Sequence, residues 1–244
     1  GISEVSRQPG VVALLLLHAA GAAAQVPGSP PIREGDSVTA VADTSFRAGW
    51  FHRLLFGNKY RAIWNQPIRV PVLDLGTFDG GLTPDKVGGG EQTKSLRLNA
   101  ASGRTWVFRT VRKDARVILP KTMRKGLAAD IVNDQISHSN PGGALTVPPL
   151  LDAVAVLHAT PQLAVMPDDP RLGKFRDAFA GVLGGMEEFP DDGPDGTAGF
   201  AGSKKIASSL DLLKKLSHDP DEQVDARKFL TARLVDLLIN DWDR

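Results

Sequence analysis

Several residues of this chain could together act on a phosphate group. The three glycines at residues 88–90 lack side chains, so backbone N–H groups there can approach an anionic phosphate closely. Arg109 lies on a predicted strand that follows this loop, where its guanidinium can pair with phosphate oxygens. Asp130, on the next predicted helix, can hold that cation in position. Asp243, beyond the last helix, can accept a proton from an attacking hydroxyl.

Each of these features alone has a more ordinary explanation. A triple glycine is usually only a loop, an arginine on a strand is usually a solvated charge, and an aspartate after a helix is usually a turn residue. Their order along the chain is what favours phosphate chemistry. That order predicts the side chains of Arg109 and Asp130 within salt-bridge range, roughly 4 Å.

Other chemistries have little support in the sequence. There is no cysteine, which excludes disulfides, thiolate metal sites and cysteine nucleophiles. The five histidines lack zinc-binding spacing. Two acidic pairs, at residues 168–169 and 187–188, could be metal ligands or hinge acids, although solvated turns explain such pairs more often. With 29 Lys and Arg against 28 Asp and Glu, the net charge is +1, so any basic patch must be local.

The elements that position these residues can be predicted from periodicity and turn signals. Residues 82–90 form a glycine-rich loop, and the two segments after it alternate like the strands of a hairpin. The expected strands are residues 68–75, 93–98, 105–111, 144–147, 153–158 and 179–186. The expected helices are one or two short ones within residues 46–64, one over about residues 125–137, and two at residues 208–216 and 224–240. The aromatic residues of segment 46–64 fall near helical spacing, which predicts core positions.

The N-terminal segment has the composition of a signal peptide. Residues 11–24 read VVALLLLHAAGAAA, an apolar run of suitable length that ends in small residues. A buried apolar helix is the alternative, but the VPGSPP that follows would end a core helix while suiting a mature N-terminus. We therefore expect a signal peptide over residues 1–25, a linker over 26–45, and export to the periplasm or outer membrane.

Six stretches of the chain resemble a family of bacterial exported proteins, the surface-antigen outer-membrane proteins of the BamA/TamA type. The stretches are YRAIWNQPIRVPVLDL (60–75), GGLTPDKVGGGEQTKSLRL (80–98), DIVNDQIS (130–137), VPPL (147–150), PDDPRLG (167–173) and LVDLLINDWDR (234–244). In that family such a segment precedes a C-terminal β-barrel. The resemblance implies an outer-membrane barrel, in the same or an associated chain, as the partner, and it gives no role to nucleic acid.

The glycine-rich stretch is also similar to atypical kinases, namely a bacterial persistence-toxin kinase and secretory-pathway kinases. The likeness implies that Gly89, Gly90, Gln92 and Lys94 cover the phosphates of a bound nucleotide. It implies ATP and magnesium as cofactors of the full-length protein, with neither held firmly by this segment.

The same likeness assigns roles to three further residues. Arg109 falls where those kinases keep a lysine, Asp130 where they keep a glutamate, and Asp243 matches the catalytic aspartate. The first two are departures from the pattern, and arginine is not equivalent to lysine at a phosphate site because its planar fork binds differently. The metal ligands of such kinases correspond to positions beyond Arg244.

The sequence thus predicts an α+β protein. Residues 46–190 are expected to form a small antiparallel sheet with one helix, like the nucleotide lobe of a kinase, and residues 191–244 a mostly helical lobe truncated at the chain end. The expected function is an exported, atypical kinase-like phosphotransferase module that is inactive as this fragment. The alternative is a non-catalytic periplasmic module that supports an outer-membrane β-barrel.

Overall fold

The structure, a computed structural model, describes residues 30–32, 35–88 and 93–241 and confirms the α+β class. The strands are β1 (Ser37–Ala40), β2 (Ile68–Pro71), β3 (Leu82–Gly88), β4 (Ser95–Ala100), β5 (Thr105–Thr110), β6 (Gln162–Val165) and β7 (Leu183–Glu188). The helices are α1 (Trp50–Phe56), α2 (Arg61–Trp64), α3 (Leu127–Asp134), α4 (Gly143–Thr146), α5 (Pro148–Ala153), α6 (Arg176–Phe179), α7 (Ser209–His218) and α8 (Ala226–Ile239). The predicted signal peptide lies outside the described residues.

The larger sheet has five strands in the order β3-β4-β5-β7-β6, and every neighbouring pair is antiparallel. The predicted hairpin is confirmed as β4 and β5. The prediction of a loop over residues 82–90 is wrong up to Gly88, because Leu82 and the residues after it pair with β4 as strand β3. A register shift between Pro84 and Lys86 accommodates the proline, which has no N–H to donate to the ladder.

One face of this sheet carries the main hydrophobic core. Alternate residues of β4 and β5 point to that face, and Leu96, Leu98, Trp106 and Phe108 are completely buried there. Phe179, just before β7, packs on the same cluster with its ring centroid 6.5 Å from that of Phe108. The other residues of the same strands must face the opposite side, where the functional candidates are found.

A second sheet of two strands extends the first one sideways. β1 and β2 are antiparallel, and Val72, just after β2, forms a parallel bridge with Val165 of β6. Leu73 N–H donates to the carbonyl of Val165 at 2.9 Å. The prediction that residues 26–45 are only a linker is therefore wrong, since β1 lies within them and pairs with β2.

A smaller hydrophobic cluster fixes the helical segments beside the sheets. Phe46 and Trp64 make an edge contact with ring centroids 5.0 Å apart, and Ala115 and Ile136 pack against them. The break predicted at Gly57 is confirmed, because this glycine ends α1 with a positive φ of 80°. The aromatic residues divide between two environments, however. Trp64 is fully buried, whereas every side chain of α1 from Trp50 to Phe56 is at least partly exposed.

Two predicted strands are helical or irregular in the structure. Residues 144–147 cover the last three residues of α4 and Val147, which caps α5. Pro148 occupies the first turn of α5, a position that does not require its missing N–H. Residues 153–158 form the end of α5 and an irregular connection. The strand on the other side of β7 from β5 is β6, which the sequence pattern does not predict. The predicted strand over residues 179–186 is correct only in part, because β7 begins at Leu183 and runs to Glu188, whereas Phe179 ends α6.

The two C-terminal helices confirm their predictions. Ser208 caps α7 by accepting a hydrogen bond from Asp211 N–H, and Asp225 caps α8 in the same way through Lys228 N–H. The leucines of α8 are largely exposed, however, with Leu237 77% and Leu238 78% accessible. Among the residues that the structure describes, no helix combines the length and apolar character needed to cross a membrane.

Candidate functional site

A row of residues across the non-core face of the sheet leads from the glycine-rich segment to Arg109. The register pairs Gly88 of β3 with Ser95 of β4, Ser95 with Arg109 of β5, and Arg109 with Gly185 of β7. Directly opposite residues of antiparallel strands share one face of the sheet. Arg109 therefore lies in the same row as Gly88, the end of the glycine-rich strand. Its direct neighbours in that row are the small residues Ser95 and Gly185.

Arg109 forms an ion pair on this face. Its Nε lies 2.6 Å from Oε1 of Glu187, which stands on β7 beside it, and the Arg109 side chain is half exposed. The more frequent interpretation of Glu187 as a solvated turn residue is wrong, because it belongs to a paired strand and its side chain is only 20% exposed. No motif in the sequence indicates that Glu187 and Arg109 meet, since they are neighbours only through the pairing of β5 with β7.

An open cleft of about 790 Å³ lies beside Glu187. The helical connection between α3 and β6 forms one wall, and the C-terminal part of α8 contributes Ala232 and Ile239. Asp241, the last residue that the structure describes, also lines the cleft. The cleft thus brings the non-core face of the sheet close to the end of the C-terminal helix.

His158 is a buried polar group in the wall of this cleft. Its side chain is 8% exposed, and its Nδ1 lies 2.8 Å from the carbonyl oxygen of Val156. Because a carbonyl oxygen only accepts hydrogen bonds, Nδ1 carries the proton in this contact. Nε2 lies on the other side of the ring, 3.6 Å from Oδ1 of Asp152. The sequence does not predict this position in the cleft wall, since His158 belongs to no recognisable motif.

Of the other residues predicted to act on phosphate, the structure describes Lys94. Lys94 is exposed at the start of the β4–β5 hairpin, where its carbonyl accepts from Thr110 N–H at 3.0 Å. This places Lys94 next to Ser95, the cross-strand neighbour of Arg109. The remaining predicted residues, Gly89, Gly90, Gln92 and Asp243, lie outside the described residues.

The expected contact between Arg109 and Asp130 is not formed. Arg109 contacts Glu187 instead, whereas Asp130 is exposed on α3 and the nearby cation that it influences is Arg116. The physical reason is that α3 packs against the connection after β5 and not against β5 itself. Asn133 of α3 accepts the backbone N–H of Ala115 at 3.0 Å, which fixes this arrangement.

The acid of α3 that forms a buried ion pair is Asp134. Nη1 and Nη2 of Arg61 donate to its two oxygens at 2.7 and 2.5 Å, and Nε2 of His52 lies 3.2 Å from Oδ2. The side chains of Arg61 and Asp134 are only 4% and 12% exposed. Burial alone would raise the pKa of Asp134, but the hydrogen bonds from Arg61 and His52 outweigh it and hold that pKa below its usual value.

A second buried network closes the opposite end of the sheet. Asp79 accepts from Nη2 of Arg104 at 2.5 Å and from Nε1 of Trp106 and Oγ of Ser102 at 2.7 Å. Burial opposes these bonds, yet together they lower the pKa of Asp79. Glu188 lies 4.0 Å from Nη1 of Arg104, and burial raises its pKa, with the nearby Asp79 adding to the effect.

Replacement of Glu188 by glutamine is expected to stabilise the protein at neutral pH. A raised pKa means that the folded state favours the protonated carboxyl, so the stability that Glu188 provides is complete below its unfolded pKa and is lost as the pH rises through its folded pKa. Glutamine mimics the protonated form at all pH values. Urea unfolding should give a higher free energy of unfolding for Glu188→Gln than for the parent at pH 7, and this difference should vanish near pH 3. Equal free energies of the two proteins at pH 7 would contradict the prediction.

Within residues 30–32, 35–88 and 93–241, no group of three or more His, Asp or Glu side chains is arranged to hold a metal ion. Comparison with known proteins adds no assignment. No protein-family model, curated protein or solved structure matches this chain.

Proposed function

We propose that this chain belongs to an exported, atypical kinase-like phosphotransferase, attached to or associated with an outer-membrane β-barrel. One observation carries the proposal. The row from Gly88 to Arg109 lies on the same sheet face as Glu187, the ion-pair partner of Arg109. Glu187 and Asp241 both line the cleft. The glycine-rich strand, the basic strand and the acidic C-terminal segment correspond to three of the parts that kinases use for phosphoryl transfer, besides the metal ions.

The residues on this face suit the phosphates of a nucleotide. The guanidinium of Arg109 is half exposed, and its donors not used by Glu187 remain available for phosphate oxygens. Glu187 holds the guanidinium in place on one side. The sequence pattern predicts this positioning role for Asp130.

Asp243 supplies the base in this proposal. It follows Asp241 by two residues in the sequence, and Asp241 lines the cleft. The hydroxyl oxygen of an acceptor attacks the terminal phosphorus of ATP, the bond to the bridging oxygen breaks, and ADP leaves. The carboxylate of Asp243 takes the proton from the hydroxyl. Magnesium would neutralise phosphate charge, and the described residues provide no cluster of ligands for it.

Replacement of Arg109 by alanine is expected to weaken the binding of MgATP roughly ten-fold, because it removes a charge-assisted contact with phosphate. Isothermal titration calorimetry of the full-length protein with MgATP measures this change. Arg176→Ala is the matched control, since Arg176 also pairs through Nε with a carboxylate, Asp168, at 2.5 Å on an exposed surface away from the cleft. The control should bind MgATP as the parent does.

The absence of detectable MgATP binding by the full-length parent protein at millimolar nucleotide would overturn the proposal. A loss of the same size in Arg176→Ala would also contradict it. The alternative, a non-catalytic module that supports the barrel, is favoured by one observation. Arg109 is already neutralised by Glu187 at 2.6 Å, as in a structural ion pair. In that case Arg109→Ala should change the stability of the sheet and leave no nucleotide affinity to lose.

A further inference from the structure

A surface segment outside the cleft concentrates positive charge in a chain whose total charge is close to zero. We call residues 112–127, between β5 and the start of α3, the basic loop. Its cations are Arg112, Lys113, Arg116, Lys121, Arg124 and Lys125, and its acid is Asp114. The whole protein has a net charge of only +1, so this segment is a local concentration and not a reflection of overall composition.

The basic loop is held in one conformation by its own backbone contacts. Arg124 folds back so that Nε donates to the carbonyl of Leu119 at 2.8 Å and Nη2 donates to that of Val117 at 2.6 Å. Met123 N–H donates to the carbonyl of Pro120 at 2.8 Å. These bonds close a compact turn and hold the backbone of the segment in place.

Large apolar side chains of the same segment are exposed. Ile118 and Met123 are each 52% exposed, and Leu127 at the start of α3 is 78% exposed. The opposite side of α3 is anchored, since Ala129 is completely buried. The exposed apolar groups therefore face outward while their backbone is fixed.

Three lysines of the loop have no counter-charge within the part of the chain that the structure describes. Arg112 pairs with Asp43 at 3.1 Å and Arg116 with Asp114 at 2.8 Å, whereas no ion pair involves Lys113, Lys121 or Lys125. Asp130, in the first turn of α3, interacts electrostatically with Arg116. The lysines are thus the cations available to an external anionic partner.

We propose that the basic loop docks on the surface of an anionic phospholipid bilayer. The lysine ammonium groups pair with lipid phosphates, and Ile118, Met123 and Leu127 enter the boundary between headgroups and acyl chains. A nucleic acid would use the same cations but would gain nothing from three exposed aliphatic side chains. The combination of charge and apolar exposure therefore favours the bilayer.

Co-sedimentation of the chain with vesicles tests this proposal. The measured quantity is the increase in partitioning when 30% phosphatidylglycerol replaces neutral phosphatidylcholine, so that binding independent of lipid charge is subtracted. We expect a clear increase at low salt that falls steeply with added NaCl, because exposed charges are screened. No increase with phosphatidylglycerol would overturn the proposal.

Variants then assign the increase to the loop. The double change Lys121→Glu and Lys125→Glu should reduce the phosphatidylglycerol-dependent partitioning by roughly 25-fold or more, at about five-fold for each lysine. Leu127→Ser should reduce it at unchanged charge, which separates a bilayer from a purely electrostatic partner. Lys204→Glu with Lys205→Glu, an exposed pair elsewhere, is the matched control for total charge. Equal losses in the control and loop variants would contradict the proposal.

Discussion

Replacement of Asp134 by alanine is expected to lower the free energy of unfolding by about 3–5 kcal/mol, because it leaves the buried guanidinium of Arg61 without its counter-charge. Arg61 cannot turn to solvent easily, since its Nε donates to the carbonyl of Gly57 and its Nη1 lies 3.3 Å from that of Phe46. Urea denaturation at pH 7 measures the change.

The pH dependence provides an independent check of the same ion pair. The pKa of Asp134 is lowered in the folded state, so the stability that it contributes is complete above its unfolded pKa and is lost as the pH falls through its folded pKa. The difference between the parent and Asp134→Ala should shrink over that range. Asp168→Ala, which removes the exposed partner of Arg176, is the control and should cause no measurable change. Equal stability of the two variants would refute the prediction.

Replacement of Gly184 by alanine should destabilise the protein by about 1–3 kcal/mol through overpacking in the centre of the sheet. A β-carbon at this position would lie 2.4 Å from the ring of Phe108 and 2.6 Å from the carbonyl oxygen of Arg109. The ring is fully buried and the carbonyl belongs to the neighbouring strand, so neither can move without disturbing the core.

Gly185 is a matched control on the adjacent position of the same strand. A side chain at this position would point to the opposite face of the sheet. Its β-carbon would lie 3.5 Å from Pro161, an ordinary van der Waals distance. Gly185→Ala should therefore change the thermal midpoint little. If both alanine variants unfold at the same temperature, the close approach of Phe108 to β7 is not the reason for glycine at position 184.

The sequence predicts those parts of the fold that depend on local patterns. The β4–β5 hairpin follows from alternation around the turn at residues 101–104, and α8 follows from apolar residues at helical spacing. Arg109 on β5 was placed correctly for the same reason, because position on a strand is a local property.

The features that depend on long-range packing could not be predicted in this way. Asp130 and Asp134 are one turn apart on α3, and only the docking of α2 decides that Asp134 meets Arg61. Glu187 is 78 residues from Arg109 in the sequence and becomes its partner through strand pairing. Strand β6 has only four residues, too few for its alternation to stand out from the irregular segment before it.

The position of β7 in the large sheet has a consequence for synthesis of the chain. β7 lies between β5 and β6, although both are made before it. A nascent chain that has not reached residue 183 therefore has a three-stranded meander with an unpaired β5 edge and a separate β6 that has no partner in this sheet. Unpaired edges invite pairing with other chains. A chaperone that binds during translation would protect the protein most in the interval between emergence of β5 and emergence of β7.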